Sequence, residues 1–531
     1  MHTSNTASNT GISELEKAYV DSTTEPIVGG VIDPRDQDLL DRQRELEELD
    51  STSKVNWEMI KKLTVCGVAF LNDAYDMFAI NIVSMILGFV YFNDATGSAK
   101  NTVPKKWDTL IKISVQVGCL LGQLVMGRLG DKVGRTTVYA ASLMIAIFTT
   151  IASAFSNDMV KGMNVFGVLF IWRVLLGFGI GGDYPLTATI VSEYSSVHNR
   201  GKLISAVFSC QGFGNVLAPI VGIIITACFK GPIEDNVLNL DYVWRLILGL
   251  GCVPGVATLY WRLTMEDSKR FQLETAKAAA ANADEDLMRE KYMAKQRLLE
   301  GSDAEAALET TDAIQYNAGG AAPVKQRRAK TFTQYFSEWK HLKVLLGTSI
   351  TWFALDVAFY GINLNSSVVI GAIGFAGDIV KDTPYHYIIR NCLGNIIINM
   401  LGSVPGYWVS VFTIEKLGRK KIQIVGFIML TILYVVLGFA YHKILDNSVA
   451  AFIVLFTLAQ FFQNFGPNLG AIVAQGGFMQ LKDRGGKNAF IDRLLQIFAL
   501  FMLIGLGFTF FIPETKGKTL EEICDESEEY Y

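Results

Sequence analysis

The chain has 531 residues, half of them in the set AVILMFWYC, with a mean hydropathy of +0.31 and 18% charged residues. Soluble globular chains carry about 25% charged residues, and here the charges crowd into 1–56 and 265–340, so the remainder excludes an ordinary soluble domain and points to a polytopic membrane protein. The net charge of −4 carries no sign of nucleic-acid binding.

Residues 1–56 contain DPRDQDLLDRQRELEELD and no apolar core of signal-peptide length; they read as a disordered or helical cytosolic tail. A spanning helix needs about 20 mostly apolar residues. Six such runs stand near 60–92, 108–128, 137–155, 164–192, 203–229 and 242–264. A polar stretch, 265–341, includes VKQRRAK and is expected to form a central cytosolic loop. Five more runs follow near 342–374, 386–414, 421–441, 448–468 and 491–512, with a weak piece at 469–481. The expected fold is all-α: a bundle over 57–264, a second over 342–513 with a shortened tenth and eleventh helix region, and a cytosolic tail over 514–531.

Within the fourth run, MNVFGVLFIWRVLLGFGIGGDYPLTATIVS carries Asp183 in an otherwise apolar setting. A bare carboxylate in hydrocarbon is costly, so an ionisable group there marks a functional site by default. Arg173 lies ten residues earlier and is expected to pair with an acid of the bundle. Gly177 and Gly181 form a small-xxx-small pair suited to close helix packing. Asp73 and Asp76, three apart in the first run, share one helix face. Trp352, Asp356 and Tyr360, spaced by four in the seventh, form a stripe. Gln211 reads equally as interhelical glue or as a ligand group.

GRLGDKVGR, 127–135, follows the second run, and EKLGRKK, 415–421, follows the eighth. Gly127, Asp131, Gly134 and Arg135 in the first, and Glu415, Gly418 and Arg419 in the second, form loop motifs. A glycine permits the tight turn, and the carboxylate can pair with the arginine. One copy would be an ordinary solvated turn. Two copies at matching places in two six-helix halves indicate a duplicated transporter, with substrate near the midplane between halves. The basic loops place both termini in the cytosol.

These loops and the closing PETKGKTLEEI resemble the major facilitator superfamily. GGDYPLTATIVSE, FLNDAYDMFAIN, WFALDVAFYGINLNSS, PGYWVSVFTIEKLGRK and FFQNFGPN are similar to the signatures of phosphate:proton symporters, and the whole chain from about residue 55 looks like their fungal high-affinity branch. The resemblance implies a secondary transporter of the plasma membrane. It places Asp183 on the proton path with one or both of Asp73 and Asp76. It lines the phosphate site with Tyr184, Gln211, Trp352, Asp356, Tyr360 and Asn468. Inorganic phosphate, protons and membrane lipid are the implied partners.

The chemistry of those residues agrees with the implied substrate. Dihydrogen phosphate keeps two O–H donors for carboxylates such as Asp356, while phenol, indole and amide groups can donate to its other oxygens. Burial and nearby like charge favour the neutral form of a carboxyl, so proton and anion help each other bind. No nucleotide loop, Ser/His/Asp set or metal cluster stands in the sequence, so neither an enzyme nor a cofactor is expected. The seven cysteines show no CxxC pairing and read as buried small hydrophobes.

The chain departs from the family after Asn468, where it runs directly into LGAIVAQGG and lacks a segment bearing a lysine that the family links to the site. The 34 residues of 448–481 are too few for two spans and a turn, which need more than about 40. Either the chain is a shortened product with impaired transport, or a re-entrant hairpin turning at Gly466-Pro467 suffices. Met265-Glu266-Asp267-Ser268 replaces a proline-glutamate-serine turn, with little expected consequence. Two other functions stay open: a sugar-type porter, which shares the PETKGK ending, and a non-transporting phosphate receptor.

Overall fold

A computed structural model describes residues 44, 57–93, 100–157, 164–273, 275–276, 332–372, 374–465 and 491–517. In lipid each backbone N–H and C=O must be satisfied within its own segment, and the apolar runs accordingly form helices. No strand occurs among the described residues. We number the main helices α1 (Trp57–Tyr91), α2 (Lys105–Val133), α3 (Arg135–Ala154), α4 (Val165–Tyr194), α5 (Arg200–Cys228), α6 (Val237–Leu263), α7 (Trp339–Asn363), α8 (Pro384–Leu417), α9 (Arg419–Phe439), α10 (Val449–Asn464) and α11 (Ile491–Thr509). Ten are long and apolar enough to cross a membrane, and α10 is shorter. All eleven belong to one compact unit, 49–271 with 325–531. Of the second unit, 1–48 with 272–324, the described residues are Arg44, Gln272, Leu273, Thr275 and Ala276, all helical.

Three expected boundaries move, each for a local reason. The run expected over 342–374 stops at Asn363, and a separate helix, Ser366–Ala372, follows. Asn363 and Asn365 turn their side-chain amides back onto the carbonyls of Phe359 (2.8 Å) and Gly361 (2.9 Å), competing with continued helix. Next, α6 divides into Leu240–Gly249 and Cys252–Leu263, where Pro254 has no N–H for the carbonyl four residues earlier. Finally, GRLGDKVGR is not a loop. α2 persists to Val133 and only Gly134, at φ +115°, separates it from α3; Gly418, at φ +88°, separates α8 from α9 in the same way. Both angles lie where a Cβ is disfavoured. The short piece 469–481 and the turn at 466–467 lie outside the described residues.

Small residues set how closely α2 and α4 approach. A methyl group on Gly118 would overlap the Val174 carbonyl, on Gly122 that of Phe178, on Gly177 that of Val115, and on Gly181 that of Cys119. Without water, helix association depends on such packing. It fixes the depth and rotation of α4, and so the direction in which Asp183 and Tyr184 point.

The repeat extends beyond the loop motifs. Asp131 pairs with Arg135 at 3.7 Å, and Glu415 holds Arg419 at 2.9 and 3.0 Å. Arg135 also pairs with Glu193, the last residue of GGDYPLTATIVSE. Just past α6, Asp267 accepts from the backbone N–H (2.9 Å) and hydroxyl (2.9 Å) of Thr136 at the start of α3. Past α11, Glu514 accepts from the N–H groups of Arg419 (3.1 Å) and Lys420 (3.2 Å) at the start of α9. A carboxylate at a helix N-terminus satisfies orphan donors and meets the positive end of the dipole. The Met265–Ser268 turn, expected to matter little, is therefore the first-half counterpart of the Pro513-Glu514 turn.

Candidate functional site

The buried charges of the first half gather around α1. Asp76 accepts from Asn72 Nδ2 (3.2 Å) and Thr150 Oγ1 (3.2 Å), and its backbone carbonyl accepts from Arg173 Nη2 (3.0 Å). Arg173, expected to pair with an acid of the bundle, instead meets the backbone carbonyl of Asp76 and forms no ion pair among the described residues; its Nε and Nη1 have no hydrogen-bond partner there. Asn72 is held in turn by the Gly255 N–H at 3.0 Å.

Asp183 has a different environment. Arg262 Nη2 lies 2.5 Å from its Oδ2 and Arg262 Nη1 3.4 Å from its Oδ1, with the Ser142 hydroxyl donating to Oδ1. The two charged side chains are 0% and 3% exposed. Arg262 also donates to the Tyr139 carbonyl (3.1 Å) and lies 3.5 Å above the Tyr139 ring. A guanidinium forked onto a carboxylate is among the stronger polar contacts. Nothing in the sequence singled out Arg262, although a cation in the apolar context TLYWRL carries the same signal as Asp183.

Asp73, between these two acids, is 2% exposed, and its Oδ2 has no hydrogen-bond partner among the described residues. It feels the charges of Asp183, Arg262 and Asp76. Three buried carboxylates therefore occupy three states of pairing: one forked by arginine, one held by neutral donors, one largely bare.

Toward the second half, α7 presents Trp352, Asp356 and Tyr360. Asp356 is 0% exposed, and both its oxygens lack a partner among the described residues, as does Trp352 Nε1. The Tyr360 hydroxyl lies 3.9 Å from Met77 Sδ, and its ring stacks on Phe78. From α4, Tyr184 stands edge-on to Phe70, and its buried hydroxyl has no hydrogen-bond partner among the described residues. From α5, Gln211 accepts from Tyr407 Oη at 3.2 Å, leaving its Nε2 without a partner among the described residues. Tyr360 interacts electrostatically with Asp356 and Tyr184, and Tyr184 with Asp73 and Tyr407. Elements α4, α5 and α7 thus bring five of the six expected phosphate residues into one neighbourhood, with Tyr407 of α8 added. Asn468 lies outside the described residues.

Buried polar groups are normally paired, and each unpaired one costs about 1–3 kcal/mol. Several converging in one place, with acceptors on Asp356 and donors on Trp352, Tyr184 and Gln211, describe a receptor for a small solute that both donates and accepts hydrogen bonds.

The profile of the sugar (and other) transporter family matches residues 63–485. The chain is 38% identical to the inorganic phosphate transporter PHO84 of Saccharomyces cerevisiae, over 92% of this chain and 88% of that protein. It is 36% identical to the repressible high-affinity phosphate permease of Neurospora crassa, over 91% and 89%. In fold it is similar to the proton:xylose symporter XylE bound to 6-bromo-6-deoxy-D-glucose, with a TM-score of 0.61 at 20% identity, covering 88% of this chain and 98% of that one.

Proposed function

The chain belongs to the sugar (and other) transporter family and, within it, to the inorganic phosphate transporters of the major facilitator superfamily; from that premise we propose that it imports phosphate with protons by alternating access. Residues 57–264 and 342–513 form the two bundles on this reading. Residues 265–341 and both tails face the cytosol, and the membrane is the plasma membrane.

The observation that carries the substrate is Asp356, a fully buried carboxylate with two open oxygens beside Tyr360 and Trp352. A carboxylate repels a fully ionised anion, yet it accepts hydrogen bonds from the O–H groups of dihydrogen phosphate. Tyr184, Tyr360, Trp352 and Gln211 donate to the remaining phosphate oxygens.

Asp73 is the proton carrier in this scheme. A proton there removes one negative charge from the neighbourhood of the anion, so each ligand favours binding of the other. Asp183, clamped by Arg262, serves as the fixed partner of that guanidinium, while Asp76 is held by Asn72 and Thr150.

Hydrogen bonds join the halves at both ends, which supports alternating access. Lys202 N–H donates to Glu415 Oε1 at 3.2 Å near the Gly134 and Gly418 turns. At the opposite end Asn81 Nδ2 donates to the Asn363 carbonyl at 2.6 Å, and Asn101 Nδ2 to the Ile379 carbonyl at 3.0 Å. A few such bonds can exchange as one end opens and the other closes.

Phosphate uptake into proteoliposomes tests the reading. Uptake is expected to rise with an inward proton gradient and to fail in Asp183→Asn; indifference to both would refute it. The same assay beside a chain with the family's longer segment restored after Asn468 separates a working carrier from an impaired one.

A further inference from the structure

Two helical turns from Asp356, away from the Gly134 and Gly418 end, residues of both halves line a polar chamber. Asn81, Asn215, Asn363, Asn395, Asn399 and Ser366 line it, and no charged residue does. It is built by repetition. On α5, Asn215 follows Gln211 by four residues. On α8, Asn399 and Asn395 precede Tyr407 by eight and twelve. On α1, Asn81 follows Met77 by four, and on α7, Asn363 follows Asp356 by seven, about 10 Å along the axis. Each of these helices carries a residue of the phosphate neighbourhood and, on the side of the opposite end, an asparagine.

Asn215 is the telling residue. It is 4% exposed, and neither its Nδ2 nor its Oδ1 has a hydrogen-bond partner among the described residues. Its backbone carbonyl also loses the usual helical donor, because the residue four further on is Pro219, which has no N–H. Asn81 Oδ1 is likewise unpartnered. The opposing wall is ordered: Asn399 Nδ2 donates to the Asn395 carbonyl (2.9 Å) and Ser403 Oγ to Asn399 Oδ1 (3.0 Å). There α8 makes a π-turn, Asn399–Ser403, a distortion that recurs at functional sites.

We infer that this chamber is an entry station, which holds incoming phosphate through neutral amide hydrogen bonds before it descends to Asp356. The inference rests on the transport reading above. Amides supply donors and acceptors without fixed charge, so they bind an anion weakly enough to release it, as a passing site requires. In this conformation the chamber measures about 20 Å³, room for one water. A bond in its wall, Asn81 to Asn363, joins the two halves. Parting the halves at that end therefore widens the chamber.

The test is binding of inorganic phosphate to the purified full chain in nanodiscs, followed by tryptophan fluorescence in stopped flow and at equilibrium. For Asn215→Leu, association and dissociation rates should fall together by about tenfold, the worth of one or two amide hydrogen bonds, with affinity nearly unchanged. Asn215→Gln should regain most of the rate. An unchanged association rate would make the asparagines interhelical glue and overturn the inference. An affinity loss as large as the rate loss would also overturn it, by assigning Asn215 to the main site. If Asn215→Leu does not fold, Asn395→Leu carries the same expectations. A parent chain that binds no phosphate sinks the transport reading and this inference together. A parent that binds phosphate, with Asn215→Leu behaving identically, sinks the inference alone.

Discussion

Arg262 closes its guanidinium on Asp183, Nη2 to Oδ2 at 2.5 Å, with both side chains out of solvent. The acid of GGDYP is therefore a paired group, and among the acids gathered around α1 the one left open is Asp73.

Breaking one partner of a buried ion pair leaves an uncompensated charge and costs about 3–5 kcal/mol. Arg262→Gln is expected to lower the thermal midpoint of the purified protein strongly. Adding Asp183→Asn should restore part of the loss, because the double variant buries no lone charge. A double variant less stable than either single one would show that the pair is not the relevant unit.

Asp73→Asn should uncouple transport. The amide imitates the protonated acid permanently, so phosphate counterflow between equal concentrations should continue while the response to a proton gradient disappears. Asp76→Asn should keep more of that response, since Asn72 and Thr150 already hold its carboxylate. Both are read in proteoliposomes at fixed phosphate with and without an imposed gradient.

Asp356→Asn should weaken phosphate binding by about tenfold to a hundredfold, since hydrogen bonds to charged groups contribute about 1.5–3 kcal/mol. It should also narrow the preference for phosphate over sulfate, because the amide can donate to an anion that has no proton to give. Competition of sulfate against radiolabelled phosphate measures this.

Gly177 and Gly127 should separate packing from sequence motif. Gly177→Val would drive a side chain into the Val115 carbonyl; overpacking costs about 1–3 kcal/mol, and here it should also displace Asp183 and reduce uptake. At Gly127 an added methyl meets nothing within 4 Å, so Gly127→Ala should leave thermal stability and uptake close to the parent's.

Much of the fold was legible because membrane physics is one-dimensional along the chain. Hydrocarbon thickness demands about 20 apolar residues per span, so the runs ending near Tyr194 or Phe439 could be read directly. The Asp131/Arg135 and Glu415/Arg419 copies exposed the duplication. Glu514 and Asp267 escaped notice as a pair because Met265-Glu266-Asp267 and Pro513-Glu514 share little sequence. Their kinship lies in which helix N-terminus each reaches, 131 and about 95 residues away.

The sequence by itself determined the helices, the two halves, and which residue types would be costly to bury: Asp73, Asp76, Asp183 and Asp356. Only the tertiary structure decided which of those acids has a counter-charge. Arg262 and Asp183 are 79 residues apart, and no spacing rule on a single helix connects them. A buried charge is governed by whatever lies within a few ångströms of it. In a helical bundle those neighbours come from other helices, so the partner of an acid becomes visible only when the helices are packed.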